Sequence, residues 1–103
     1  MFMRVTKGRS KPGCWDQYEA VYRQYVENGA KPAGLLGRWL LRSVEDQDMG
    51  FSLSLWESRA AMEAYERSDA VRGEILPHLA PYLTGDFVAH HCEVNIQSTP
   101  VLE

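Results

Sequence analysis

The chain opens on alternation. Between Met1 and Arg9, Met3 and Val5 fall on one side and Arg4 and Thr6 on the other, the period of two that marks a strand. Lys11-Pro12-Gly13 interrupts it, and the period then changes. From Cys14 to Asn28, the residues Trp15, Tyr18, Tyr22, Tyr25 and Val26 recur at helical spacing and form one apolar stripe. Asn28-Gly29 predicts a left-handed stop to that helix. Leu35 to Val44 predicts a second strand, with Leu36, Arg38, Leu40 and Arg42 on one face and Leu35, Gly37, Trp39 and Leu41 on the other. Glu45-Asp46-Gln47-Asp48 is a charged turn, so the next strand, Met49 to Trp56, should return antiparallel. It sets Phe51, Leu53 and Leu55 against Ser52, Ser54 and Trp56.

Ser58 predicts the N-cap of a second helix over Arg59 to about Arg67, with Met62 and Tyr65 on its inner face. Ser68-Asp69 restarts a turn that Pro77 is expected to interrupt. Pro81 and Thr84-Gly85 close this region. A last strand, Asp86 to Ile96, aligns Val88, His90, Cys92, Val94 and Ile96.

The order strand, helix, strand, strand, helix, strand is the ferredoxin-like βαββαβ unit of an α+β fold, with both helices on one face of an antiparallel sheet. It predicts one domain over residues 1–96 and a loose tail over 97–103. The second and third strands carry large apolar side chains on both faces, and one helical layer covers only one face. A homodimer through the sheet face is therefore expected.

Composition narrows the function classes. A length of 103 residues fits one domain. The net charge of −3 argues against nucleic acid, whose phosphates need a basic footprint. With 45% hydrophobic residues, disorder is not expected. No apolar run reaches the length of about 18 residues needed to span a membrane, and Met1-Phe2-Met3-Arg4 lacks the apolar core of a signal peptide. Two cysteines make no disulfide framework, which predicts a reducing, cytoplasmic setting.

Several residues carry candidate chemistry. His90, His91 and Cys92 suggest a metal, but neighbours on a strand point to opposite faces, and His90 with Cys92 supply too few ligands for zinc. No metal is expected, and Cys92 reads as a buried structural thiol. His90 is the candidate base near neutral pH. Trp56 reads as a tryptophan packed under the second helix, and Tyr18, Tyr22 and Tyr25 as a core stripe whose hydroxyls need partners. Gly37 beside Trp39 either leaves room for a ligand or relieves crowding. Arg38 and Arg42, among Leu36 and Leu40, either pair with acidic residues across a dimer or bind an anionic substrate.

The stretch Gly34-Leu35-Leu36-Gly37-Arg38-Trp39-Leu40-Leu41-Arg42-Ser43, with Phe51 to Arg59 and above all Trp56-Glu57-Ser58 followed by Ala60-Ala61-Met62-Glu63-Ala64-Tyr65, resembles the antibiotic-biosynthesis-monooxygenase family of dimeric α/β-barrel proteins. The resemblance implies a cofactor-free oxygenase of an electron-rich phenol, quinol or polyketide-like ring, in which the substrate itself supplies electrons to O2. It also implies pocket roles at Trp56 and Tyr65. Where oxygenases of the family carry an Asn earlier on the strand that ends in Trp, this chain has Ser52, which donates one hydrogen bond where an amide donates two. The haem-degrading branch resembles a Trp on the second helix, a ligand His further along and an Asn in the first strand. Here Tyr65 and Ile75 occupy the first two places, the first strand has no Asn, and His78 lies beyond the expected ligand.

The expectation is an oxygenase with Ser52, Trp56, Tyr65 and His90 as catalytic residues and Trp39, Tyr18, Tyr22 and Arg38 binding a small aromatic, with no resident cofactor. The alternatives are a non-catalytic small-molecule-binding or stress-response dimer and, more weakly, a haem-binding or haem-degrading protein.

Overall fold

A computed structural model of the chain describes residues 1–98. Of the tail expected over 97–103, residues 99–103 lie outside the described residues. The elements run β1 (Phe2–Arg9), α1 (Trp15–Asn28), β2 (Leu35–Arg42), β3 (Met49–Trp56) and α2 (Arg59–Glu66). A π-helical segment (Ala70–Ile75) then passes into α3 (Leu76–Leu79) and a 3-10 turn (Ala80–Tyr82), before β4 (Val88–Glu93). The four strands form one antiparallel sheet in the order β2-β3-β1-β4, the ferredoxin-like arrangement.

Register decides which side chains share a face. β1 and β3 pair Phe2 with Trp56, Arg4 with Ser54 and Thr6 with Ser52. β2 sets Arg38 opposite Ser54 and Leu40 opposite Ser52, and β4 sets His91 opposite Arg4. This face meets the helices through two buried clusters. Trp15, Tyr18 and Leu79 join α1 to the segment after α2, and Leu35, Trp56 and Met62 join β2 and β3 to α2. The other face carries Val5, Phe51, Leu53, Leu55, Trp39, Leu41, His90 and Cys92, and among the described residues no helix covers it.

Local chemistry explains the connections. Ser58 caps α2 as expected, its Oγ accepting from the Ala61 N–H at 3.1 Å. Gly34 has φ +83°, and a Cβ there would sit 2.6 Å from the Ala61 Cβ, so the entry to β2 lies tight on α2.

Three details depart from the sequence pattern. Strict alternation put Leu35 on the Gly37 face, but a bulge between Leu35 and Gly37 turns Leu35 toward Trp56 and leaves Leu36 50% exposed. Gly29 ends α1 in an extended conformation, φ −79° and ψ 159°, rather than a left-handed one. A side chain there is excluded by approach, because a Cβ would lie 2.5 Å from the Tyr25 carbonyl oxygen. Pro77 does not interrupt the helical run: the change from π to α pitch places it in the first turn of α3, where a missing N–H costs least.

Candidate active site

A helix-covered sheet face is ordinarily apolar. Here its centre is polar, with Arg4, Thr6, Ser52, Ser54 and Arg38 in adjoining registers. These side chains floor a cavity of about 210 Å³ between sheet and helices. Tyr18, Tyr22 and Tyr25 wall it from α1, Tyr65 from α2, and Val71, Ile75 and Leu79 from the later helical segment.

The hydroxyls are organised in pairs. Tyr22 Oη and Ser52 Oγ lie 2.8 Å apart, joining α1 to β3. Two hydroxyls carry two protons and the contact uses one, so the pair keeps one donor for a ligand. The Trp56 indole N–H donates to Ser54 Oγ at 2.9 Å, which leaves the Ser54 proton free. Tyr65 leans on Trp56, ring centroids 5.1 Å apart. Burial pushes the Tyr65 phenol above its ordinary pKa, while the Arg38 charge pulls it back; Tyr22 adds to the rise and Arg4 opposes it. At neutral pH Tyr65 is therefore a donor. Tyr18, more deeply buried, is pushed up further.

The charges are also arranged. Arg4 donates from Nη1 to Thr6 Oγ1 at 2.7 Å, and its buried Nε lies 3.3 Å from Glu66 Oε2 without hydrogen-bond alignment. The other Glu66 oxygen accepts from His91 Nε2 at 2.7 Å. Arg38 stands over the Tyr65 ring, 5.3 Å from its centroid.

Among the expected site residues, Ser52, Tyr65, Tyr18, Tyr22 and Arg38 come together around this cavity. Trp56 does not line it. With 0% exposure, Trp56 lies behind Ser54 and Tyr65 and positions both. His90 pairs with Val5 in register and points to the uncovered face, so it is separated from the cavity by the sheet. Trp39 also belongs to that face, 45% exposed, and borders only a groove along the β2 edge. Its ring covers Gly37, where a Cβ would meet Trp39 Cη2 at 2.7 Å, so the glycine makes room for tryptophan rather than for a ligand. Cys92 is exposed, not buried. His78 sits exposed on α3 against Tyr25, outside the cavity lining.

Sequence reasoning missed Arg4, Thr6, Ser54 and the Glu66–His91 pair. A signal existed: the alternation of the first strand already put Arg4 and Thr6 on the face opposite Met3 and Val5. Among the described residues, no group of three or more His, Cys, Asp or Glu side chains is placed to hold a metal ion.

A βαββαβ sheet with an aromatic cavity under its helices defines the structural class. The family described as Antibiotic biosynthesis monooxygenase matches residues 1–73, and the chain belongs to that family. No curated protein matches the chain. Among solved structures, an MhuD mutant with two manganese protoporphyrin IX molecules bound per active site is similar at a TM-score of 0.80 and 21% identity, covering 97% of this chain and 100% of that one. A conserved protein from Methanosarcina mazei Go1 is similar at 0.74 and 21%, covering 88% and 90%. An antibiotic biosynthesis monooxygenase is similar at 0.73 and 18%, covering 97% and 100%. At these identities the likeness is one of fold.

Proposed function

We propose that this protein is a cofactor-independent monooxygenase that oxidises a small electron-rich aromatic, a phenol, quinol or polyketide-like ring, with O2. The observation that carries this reading is the donor balance of the cavity. Tyrosine-walled and floored by Arg4, Arg38, Ser52 and Ser54, it offers free hydroxyl protons and positive charge to a flat ring. A phenol reacts with O2 once ionised, and cationic, hydrogen-bonding surroundings lower its pKa. The substrate then supplies all four electrons: its ring leaves at the quinone level carrying one oxygen atom of O2, and the other oxygen atom leaves as water with two substrate hydrogens. Glu66, a carboxylate of the cavity lining that also accepts from His91, takes up the phenol proton, whereas His90 lies beyond the sheet.

The same reading includes a cytoplasmic homodimer joined through the uncovered sheet face, in keeping with that face's apolar residues and with the free thiols of Cys14 and Cys92. Haem fits less well. Among the described residues the cavity lining supplies no His, Cys or Met side chain to iron and, of the usual axial ligands, leaves only tyrosine phenols, and about 210 Å³ suits one or two rings better than a macrocycle.

Oxygen uptake with a panel of hydroquinones and anthrone-type phenols tests the proposal. Wild type is expected to exceed the buffer rate with at least one compound, and Tyr65→Phe to lose roughly a hundred- to thousandfold through loss of a preorganised donor. Uptake at the buffer rate across the panel would overturn it. If the compounds bound all the same, the non-catalytic binding dimer would be the better reading.

A further inference from the structure

We propose, resting on the reading above, that Arg38 anchors a carboxylate carried by the aromatic substrate, so that the site selects anionic rings over their neutral counterparts. Arg38 sits at the middle of β2 on the helix face, opposite Ser54. It borders both the main cavity and the groove along the β2 edge, which also share Tyr22 and Val26. The guanidinium therefore stands where the two spaces meet. A ring seated among the tyrosines would bring a substituent to this point.

The charge of Arg38 is unbalanced where its neighbours' charges are not. Arg4 pairs with Glu66, Arg9 with Asp46 and Arg42 with Asp16. Arg23 takes both carboxylates of the edge groove, Glu19 at 3.3 Å and Glu27 at 3.9 Å. Among the described residues no Asp or Glu lies within ion-pair distance of Arg38, although it is half-buried. Its contact is the Tyr65 ring. A cation–π contact occupies no hydrogen-bond acceptor, and none of the side-chain hydrogen bonds among the described residues involves Arg38, so its guanidinium fork keeps donors that match a carboxylate. A partner subunit packed on the uncovered sheet face would lie on the other side of β2, so pairing across such a dimer does not account for Arg38. The nearby free protons of Ser54 and Tyr65 are donors too, which suits an acceptor-rich substituent.

The test compares binding of a hydroxynaphthoate with that of naphthol by calorimetry under argon, where affinity is read without turnover. Wild type is expected to prefer the carboxylate roughly ten- to hundredfold, the range of a charge-assisted pair. Arg38→Gln should abolish the preference by weakening hydroxynaphthoate binding far more than naphthol binding, and a far-UV circular dichroism spectrum like that of wild type checks that the variant is folded. Arg38→Lys should keep part of the preference, and Arg42→Gln all of it. Equal binding of the two compounds by wild type, failure of wild type to bind either, or a preference that survives Arg38→Gln would each overturn the proposal. If Arg38→Gln binds neither compound, Arg38→Lys decides: a retained preference supports the anchor and a lost one overturns it. The arms separate from the oxygenase reading, because a carboxylate preference without oxygen uptake removes only the chemistry. Uptake with neutral quinols and no carboxylate preference removes only the anchor.

Discussion

The indole N–H of Trp56 donates to Ser54 Oγ across 2.9 Å, and this contact ties the most buried aromatic of the protein to its cavity floor. A buried donor left without its acceptor costs about 1–3 kcal/mol, whereas removing both partners costs less. Ser54→Ala is therefore expected to destabilise the protein by about 1–3 kcal/mol. Trp56→Phe also costs stability through its smaller ring. The double variant should be more stable than the sum of the two predicts, by about 1 kcal/mol, because no indole N–H remains to be orphaned. Urea denaturation of the four proteins checks this; strict additivity would mean that the contact contributes nothing.

Two glycines on neighbouring strands predict opposite tolerance. A Cβ on Gly50 would lie 2.1 Å from the Leu41 carbonyl oxygen and 2.3 Å from Trp15 Cη2, so strand backbone and a core ring would both have to move. Gly50→Ala is expected to cost at least about 1–3 kcal/mol and to disturb the cavity wall that Trp15 provides. At Gly37 the obstacle is only the ring end of a half-exposed Trp39, which can swing aside. Gly37→Ala should give the smaller drop in Tm by thermal denaturation, and the reverse order would contradict this account.

Alkali should unfold the protein through its tyrosines. Burial raises both Tyr18 and Tyr65 above the value an unfolded chain would show, so the native state holds protons that the unfolded state releases. Their contribution is fully present below the ordinary phenol pKa of about 10 and is lost as pH rises from there toward the folded values. Tm is thus expected to fall above pH about 10, and Tyr18→Phe should flatten that fall. A fall of equal slope in Tyr18→Phe would assign the effect elsewhere.

The fold was legible because two periods alternate cleanly along the chain, and the family resemblance rested on the same strand-three and helix-two residues. What escaped was whatever depends on a single residue of register. One extra residue at the β2 bulge moves Leu35 from the uncovered face into the core, and no propensity marks the spot. One step along β4 separates His90, facing away from the cavity, from His91, bonded to Glu66 at its edge. The alternation of β4 reads equally well with either face inward, so the sequence could align His90 with Cys92 but not say which side the helices cover. Pro77 misled for a related reason: a proline signals a break only if the helix keeps one pitch, and the π segment before it changes pitch. The cavity itself was half legible. The sequence points to Tyr18, Tyr22, Ser52, Tyr65 and Arg38, whereas the alternation of β1 puts Arg4 and Thr6 on one face without marking it as the cavity side, because polar strand residues are ordinarily solvent-facing.

The uncovered sheet face makes the last prediction. Trp39, Leu53, Val5 and His90 form one row across β2, β3, β1 and β4, with Leu53 near its centre. Apolar area of this kind is worth about 25 cal/mol per Å² when removed from water, and a stable pair of subunits buries about 1,200–2,000 Å² in total. Sedimentation of the wild type at micromolar concentration is therefore expected to give a dimer. Leu53→Arg should yield monomer, because an unpaired guanidinium would be buried at the centre of the row. Its cavity, on the opposite side of the sheet, should still bind naphthol. A wild-type monomer at that concentration would overturn the pairing, and a dimer that survives Leu53→Arg would move it to another surface.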